Sequence, residues 1–256
     1  EQYADYMIGI LHGDFGTSYV YNRPVTSLIA ERIPNTLVIT LTSLVIAIFI
    51  GVGIGVLSAI KQYSILDYIF MILALVGVSM PIFWLGLMLV NLFSVQLGWL
   101  PALGMGSMSK GIGDVISHMV LPCFCLATIP TATFARITRS SMLEVIHSDS
   151  IKALRARGIK ESSIIWKHAL KMHCLQLSQF LVSVGQRFYR CHFDREYLSW
   201  PGMGTMIVSA IDNRDYMLIQ GTVLFIAVVF VVVNLLVDVV YMIINPRVSY
   251  DSKGGN

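Results

Sequence analysis

The chain has 256 residues, of which 55% are hydrophobic and 13% charged, with a formal net charge of +3. Soluble domains carry about a quarter charged residues, so the composition excludes an ordinary soluble enzyme, and the modest positive excess gives no reason to expect a nucleic-acid partner. The long apolar runs instead predict an all-α, polytopic membrane protein.

A helix needs about 20 apolar residues to cross the hydrocarbon core. In chain order, Glu1 to Asn35 precedes the first such run. Thr36 to Ile60 is the first predicted span. It contains Gly51, Gly53 and Gly55, which no strand precedes. A nucleotide-binding loop is therefore not read there, and the Gly51/Gly55 spacing is read as a close helix contact. Tyr68 to Leu97 is the second span, with Pro81 inside it; prolines are tolerated in membrane helices. His118 to Ile137 is the third, with Pro122 and Pro130. Cys123 and Cys125 in that run are read as buried thiols rather than a metal pair. Leu218 to Ile244 is the last span, closed by Asn245-Pro246. Within it, Asp238 is an intramembrane carboxylate, a functional candidate by default. Its place near one end favours a structural role, paired with a basic loop residue. His118, Asp212 and Asp215 are expected to be solvated or interfacial, and Trp99 and Trp200 to join the interfacial aromatic belt.

Lys and Arg set the orientation. Arg136, Arg139, Lys152, Arg155, Arg157, Lys160, Lys167 and Lys171 crowd one loop, which is assigned to the cytoplasm. Gly98 to Ser117 carries Lys110 alone and is assigned outside. Lys61 to Asp67 then falls inside, residues 1–35 outside, and the C-terminus, with Arg247 and Lys253, inside. The final span must enter from outside, so one more crossing is required between Lys171 and Leu218. About five spans follow in total.

The place of that crossing is occupied by an anomaly. Residues 172–198 hold Arg187, Arg190, Asp194, Arg195 and Glu196, together with His173, Cys174, Cys191 and His192. Charges facing lipid are costly.

The cytoplasmic loop reads "DSIKALRARGIKESSIIWKHALK" from Asp149 to Lys171. Two short helices are predicted, broken at Gly158, which can adopt a left-handed conformation. Ile151, Leu154 and Ala153 form an apolar face before the break. Ile164, Ile165, Ala169 and Leu170 form one after it. Ala153, Ala156 and Gly158 are small enough for a partner to approach the backbone. Residue chemistry leaves two readings open: a basic loop lying on the lipid surface, or a docking element for a cytoplasmic protein.

At this loop the chain resembles the permeases of ABC-type dipeptide, oligopeptide and nickel importers. Their coupling loop commonly reads "DYIRTARAKG" followed by "KHALRNALxP". Here the corresponding text is "DSIKALRARG" and "KHALK". The resemblance extends to "GDFGTSY" (Gly13 to Tyr19), "RPV" (Arg23 to Val25), "ARITRSSMLEV" (Ala135 to Val145), "SWPGMG" (Ser199 to Gly204), "NRDY" (Asn213 to Tyr216) and "DVVYMIINPRV" (Asp238 to Val248). It covers nearly the whole chain. Two departures stand in the loop: Leu154 replaces a usual small alanine, which loosens docking if it points at the partner, and Ser150 replaces a usual aromatic. The family has a further span before the external segment, and its absence here points to a chain trimmed at its N-terminus.

The resemblance also gives the anomaly a reading. The family's "NALxP" and "TExIF" are missing from it. One base restored after Lys171 turns the tightly constrained codons of Met172, His173 and Cys174 into Asn-Ala-Leu. A second, near Ser183 to Gln186, lets the codons of Arg190 to Leu198 contain Thr-Glu-Asn-Ile-Phe. We read 172–198 as a frame-shifted span, so its charges are not taken as a substrate site, nor its histidines and cysteines as metal ligands.

The resemblance implies an external segment over 1–35, a permease domain over 36–248 with its coupling loop at about 138–171, and a cytoplasmic tail over 249–256. It implies a subunit of an ATP-driven importer in the bacterial inner membrane, moving di- or oligopeptides or a related solute such as nickel or glutathione. Its expected partners are a second, homologous permease, two cytoplasmic ATPases, an external substrate-binding protein and membrane lipid. Lys152, Ala153, Leu154, Arg155, Ala156 and Gly158 are the expected contacts with the ATPase. No GxxxxGK[ST] motif occurs, so ATP and Mg are assigned to the partner subunits, and no catalytic residue or metal site is expected in this chain. The rival readings are a stand-alone secondary transporter or channel, which would need ionisable residues along its spans, and a non-transporting membrane scaffold.

Overall fold

The computed structural model describes residues 6, 8–10, 12–170 and 199–244, without the side chains of 237, 238 and 240–244. The anomalous stretch 172–198, the tail 249–256 and the side chain of Asp238 lie outside the described residues.

Helix α1, Val25–Ile60, begins after Pro24, at Val25 rather than Thr36. Proline suits a helix start because its fixed φ is preorganised and its missing N–H is not needed there. At about 1.5 Å per residue the 36 residues of α1 exceed the hydrocarbon thickness, so part of the helix projects beyond it. Helix α2 spans Ile65–Ser79 and α3 spans Ile82–Leu89, continuing to Gln96 as a wider π-helical turn. Helix α4, Ile112–Ile146, is followed by two short helices, α5 (Asp149–Ala156) and α6 (Glu161–Ala169, π-helical from Ile164). Beyond the undescribed interval come α7, Met203–Asp212, and α8, Tyr216–Ile244.

Helices α1, α4 and Tyr216–Leu236 of α8 are each long and apolar enough to cross a membrane. Large apolar side chains such as Phe49, Leu73, Phe124 and Val231 point outward. A soluble monomer rarely exposes so much apolar surface; lipid is its natural solvent. The second predicted span is not one straight helix. Its halves, Ile65–Ser79 and Ile82–Gln96, meet at 107°. Pro81 disfavours helical geometry at the residue before it, and Met80 is extended (φ −81°, ψ 134°). Pro122 and Pro130, by contrast, leave α4 continuous. The difference is packing: α4 is held against α1 along most of its length, whereas Asp67 and Ala74 are the buried residues of α2.

The α1–α4 seam is built on small residues. A Cβ at Gly51 would stand 2.7 Å from the carbonyl oxygen of Thr131, and one at Gly55 would stand 2.7 Å from that of Ala135. This is the close contact expected from their spacing. Cys123 and Cys125 are buried, as expected for packing thiols, and the Cys125 thiol donates to the Ile82 carbonyl (3.4 Å).

The two ends of α1 carry separate clusters. Val25, Leu28 and Ile29 pack with Met203, Met206, Ala210 and Leu218. Val56 and Ala59 pack with Met142, Val145, Ile151, Ile164, Ile165 and Ala169. Leu170 and Ser199 therefore stand at opposite ends of α1.

The first of these ends is stapled by polar contacts. Asp215 is fully buried, against the expectation that it is solvated; Asp212 is exposed as expected. Asp215 accepts hydrogen bonds from the Ser18 hydroxyl and from the N–H groups of Val20 (3.2 Å), Leu218 (3.2 Å) and Tyr19 (3.4 Å). A buried carboxylate needs such donors. Trp200 is likewise buried rather than interfacial, and its Nε1 donates to the Asn35 carbonyl (3.0 Å). Trp99 is exposed, and His118 is partly buried with its Nδ1 2.7 Å from the Asp114 carbonyl.

Burial alone would raise the Asp215 carboxyl pKa, but the hydrogen bonds from Ser18, Leu218, Val20 and Tyr19 outweigh it and hold the group below the usual carboxylate range. The sign follows by linkage: the stabilisation is present above the ordinary carboxylate pKa and is lost as pH falls through the lower folded one. Acidification below about pH 4 is expected to loosen this end before the rest. Protease cleavage near Tyr19–Tyr21 should rise there, and Asp215→Ala should reproduce the effect at neutral pH at a cost of about 2–3 kcal/mol. Unchanged cleavage in both cases would remove the staple's role.

Candidate functional site

The site begins with how the loop is folded back on itself. Helix α5 ends at Ala156, and Gly158 takes φ +73°. The Gly158 N–H donates to the Arg155 carbonyl (2.9 Å) and the Ile159 N–H to the Leu154 carbonyl (3.3 Å). This pair of bonds, with a left-handed glycine between, is the Schellman helix stop. Leu154 and Ile159 both pack on the same apolar cluster, which supplies the hydrophobic contact that usually accompanies the motif.

The apolar underside anchors the loop. Ile151 and Ile164 are fully buried with Val56 and Ala59 of α1 and Met142 and Val145 of α4. Ile165, Ala169 and Leu170 join from α6 as expected. Ala153 does not belong to this face; it is exposed. Leu154 is partly buried against the cluster rather than turned wholly outward. The larger side chain thus fills space beneath the loop.

A charged clasp closes the turn. Arg155 donates through Nη2 (2.7 Å) and Nε (3.1 Å) to the carboxylate of Glu161, and through Nη1 to the Ile146 carbonyl (3.3 Å). One side chain thereby ties α5, α6 and the end of α4. The Glu161 hydrogen bond holds the Arg155 pKa above its ordinary value, and Arg155 holds the Glu161 carboxyl below its own. Both groups are exposed, so the pair adds well under about 1 kcal/mol to stability; its effect is on geometry. Glu161 was not among the residues expected from the sequence, although an acid just beyond the glycine turn was the available signal.

What remains outside is a continuous strip. Lys152, Ala153, Arg155, Ala156 and Gly158 are all exposed, and Lys152 pairs with Asp149 (2.9 Å) on the surface. Small residues at 153, 156 and 158 leave the backbone approachable, with cations on either side. A rigidly anchored underside beneath a small, cationic outer strip can receive a protein surface and pass its displacement to the ends of α1 and α4.

Comparisons with known proteins agree with this architecture. The binding-protein-dependent transport system inner membrane component family matches residues 51–250. The dipeptide transport system permease protein DppB of Alkalihalophilus pseudofirmus is 40% identical over 270 residues, covering 97% of this chain and 81% of its own. The oligopeptide transport system permease protein AppB of Bacillus subtilis is 38% identical over 253 residues, covering 97% and 80%. Among solved structures, inward-facing conformations of the MetNI methionine ABC transporter align with a TM-score of 0.65 at 16% identity, over 85% of this chain and 96% of that one; that likeness speaks to the fold. The chain therefore belongs to the family of binding-protein-dependent transport system inner membrane components, and is a membrane-spanning permease subunit of an ABC transporter.

Proposed function

We propose that this subunit imports di- or oligopeptides, and that the strip Lys152–Gly158 is where cytoplasmic ATPase subunits drive it. The observation that carries the reading is the two-sided loop: an apolar underside locked to α1 and α4, and an outer face of small and cationic residues with no apolar cover. The names of the relatives support the substrate class. In this reading the chain pairs with a second, homologous permease. An external binding protein delivers the peptide, two ATPases bind ATP and Mg, and this chain performs no catalysis itself. The multi-pass chain lies with its C-terminus in the cytoplasm. Alternating access needs contacts that differ between two states, and the docked and undocked loop would supply them.

The test is reconstitution with the partner permease and ATPases in proteoliposomes. ATP-dependent uptake of a labelled dipeptide that requires the external binding protein is the expected result. Uptake that proceeds without the ATPases, driven by an ion gradient, would reverse the assignment in favour of a secondary transporter.

A further inference from the structure

Arg139 lies on α4 one turn before Met142, a member of the cluster that anchors the coupling loop. Its guanidinium turns toward α2, and the side chain remains 26% exposed. Nε donates to Asp67 Oδ1 (2.7 Å) and Nη2 to Asp67 Oδ2 (2.8 Å). The Asp67 side chain is 3% exposed. It also accepts from the Ser58 hydroxyl of α1 and from the Tyr63 N–H (3.1 Å). Ser58 lies between Val56 and Ala59, members of the same anchoring cluster. A buried carboxylate is retained where its donors are fixed, and here the donors come from α1, the α1–α2 turn and α4.

Beyond this joint, Ala74 is the buried residue of α2. A cavity of about 250 Å³ opens between α1, α2 and α4, lined by Ile50, Ile54, Phe70, Leu73, Thr131 and Ala135 among others. Further along, α2 approaches α4 at Gly77, where a Cβ would stand 2.9 Å from the Thr128 methyl. The α1–α4 seam, by contrast, is backbone against backbone at Gly51 and Gly55. The bent α2–α3 arm is attached to that pair at its base by the charged joint and farther along by Gly77 on Thr128 and Ile82 on Cys125, with the cavity between these contacts. A backbone-to-backbone seam resists deformation more than one interrupted by a cavity.

We propose that Asp67, Arg139 and Ser58 form the pivot through which coupling-loop motion reaches the α2–α3 arm, which swings against an α1–α4 pair that moves as one body during transport. The inference rests on the ATP-driven reading above. The bidentate pair holds the base of the arm firmly to α4, so that displacement of α4 is passed to α2 at this point. Asp67 and Arg139 are positioning residues; nothing here requires them to touch the transported solute.

The experiment uses the complete transporter, with Cys123, Cys125, Cys174 and Cys191 replaced by alanine. Spin labels are placed at Leu75 on α2 and Phe124 on α4, and separately at Phe49 on α1 and Phe124. ATP-driven peptide uptake by the labelled complex checks the functional reading independently. The expected result is a nucleotide-dependent change in the α2–α4 distance with the α1–α4 distance constant. Asp67→Asn should abolish that change and cut uptake per ATP hydrolysed about tenfold or more, with membrane abundance and ATPase activity retained. A complex that transports while the α2–α4 distance stays fixed overturns the pivot and leaves the functional reading standing. So does an Asp67→Asn complex whose uptake loss matches its lost abundance.

Discussion

Replacing Gly158 with isoleucine is expected to reduce ATP-driven uptake by about tenfold or more, with membrane insertion and pairing with the second permease intact. No atom lies within 4 Å of a Cβ built at Gly158, so space is not the obstacle. The obstacle is φ +73°. A left-handed conformation costs an ordinary L-residue about 1–2 kcal/mol, and a β-branched residue there is a genuine outlier. Relieving the strain breaks the bonds from Gly158 and Ile159 back to Arg155 and Leu154. Helix α6 then leaves its register with α5, and the Arg155–Glu161 clasp opens. The outer strip Lys152–Gly158 loses the geometry on which the proposed ATPase docking depends, and every 1.4 kcal/mol lost from a docked geometry is tenfold. Asparagine tolerates the left-handed region, so Gly158→Asn should keep most of the activity. Uptake normalised to membrane abundance reads both variants. Normal uptake by Gly158→Ile would sink the role of the loop.

The second large effect concerns the seam that everything else hangs on. Gly51→Ala and Gly55→Ala should each destabilise the detergent-solubilised subunit by about 1–3 kcal/mol, the usual cost of overpacking. The added Cβ at Gly51 meets the Thr131 carbonyl at 2.7 Å and the Phe134 Cβ at 2.6 Å. At Gly55 it meets the Ala135 carbonyl at 2.7 Å and the Thr138 Cβ at 2.5 Å. Backbone atoms cannot step aside as a side-chain tip can, so the helices must part. The two sites share one seam, so the double variant should fall short of their sum. Gly53→Ala is the control, since its Cβ would meet nothing within 4 Å. Thermal unfolding should separate Gly53→Ala, unchanged or slightly stabilised by alanine's helix propensity, from the other two. Gly51→Ala and Gly55→Ala unfolding no earlier than Gly53→Ala would show that close approach does not set the requirement, since alanine's better helix propensity acts at all three sites alike.

The sequence alone established the class of molecule, the approximate places of three spans, the helix–turn–helix loop and its glycine stop. Each is a local matter: the length of an apolar run, a 3.6-residue periodicity, or the conformational freedom of one residue acts over a few neighbours. The close approach at Gly51 and Gly55 was legible for the same reason, because small-residue spacing on one helix declares a contact without naming its partner. Tertiary structure decided the rest. Asp67 finds Arg139 across 72 residues and Asp215 finds Ser18 across 197. Read in isolation these acids sit beside turns, and the expectation for Asp215 was solvent. Trp200 likewise became a buried hydrogen-bond donor instead of an interfacial anchor. Pro81 broke its span while Pro122 and Pro130 did not, because α1 grips α4 and leaves α2 largely ungripped. A helix that is apolar on every face does not specify its neighbours. In such a chain the few polar groups take their roles from whichever helices pack around them, and that is settled only when the bundle assembles.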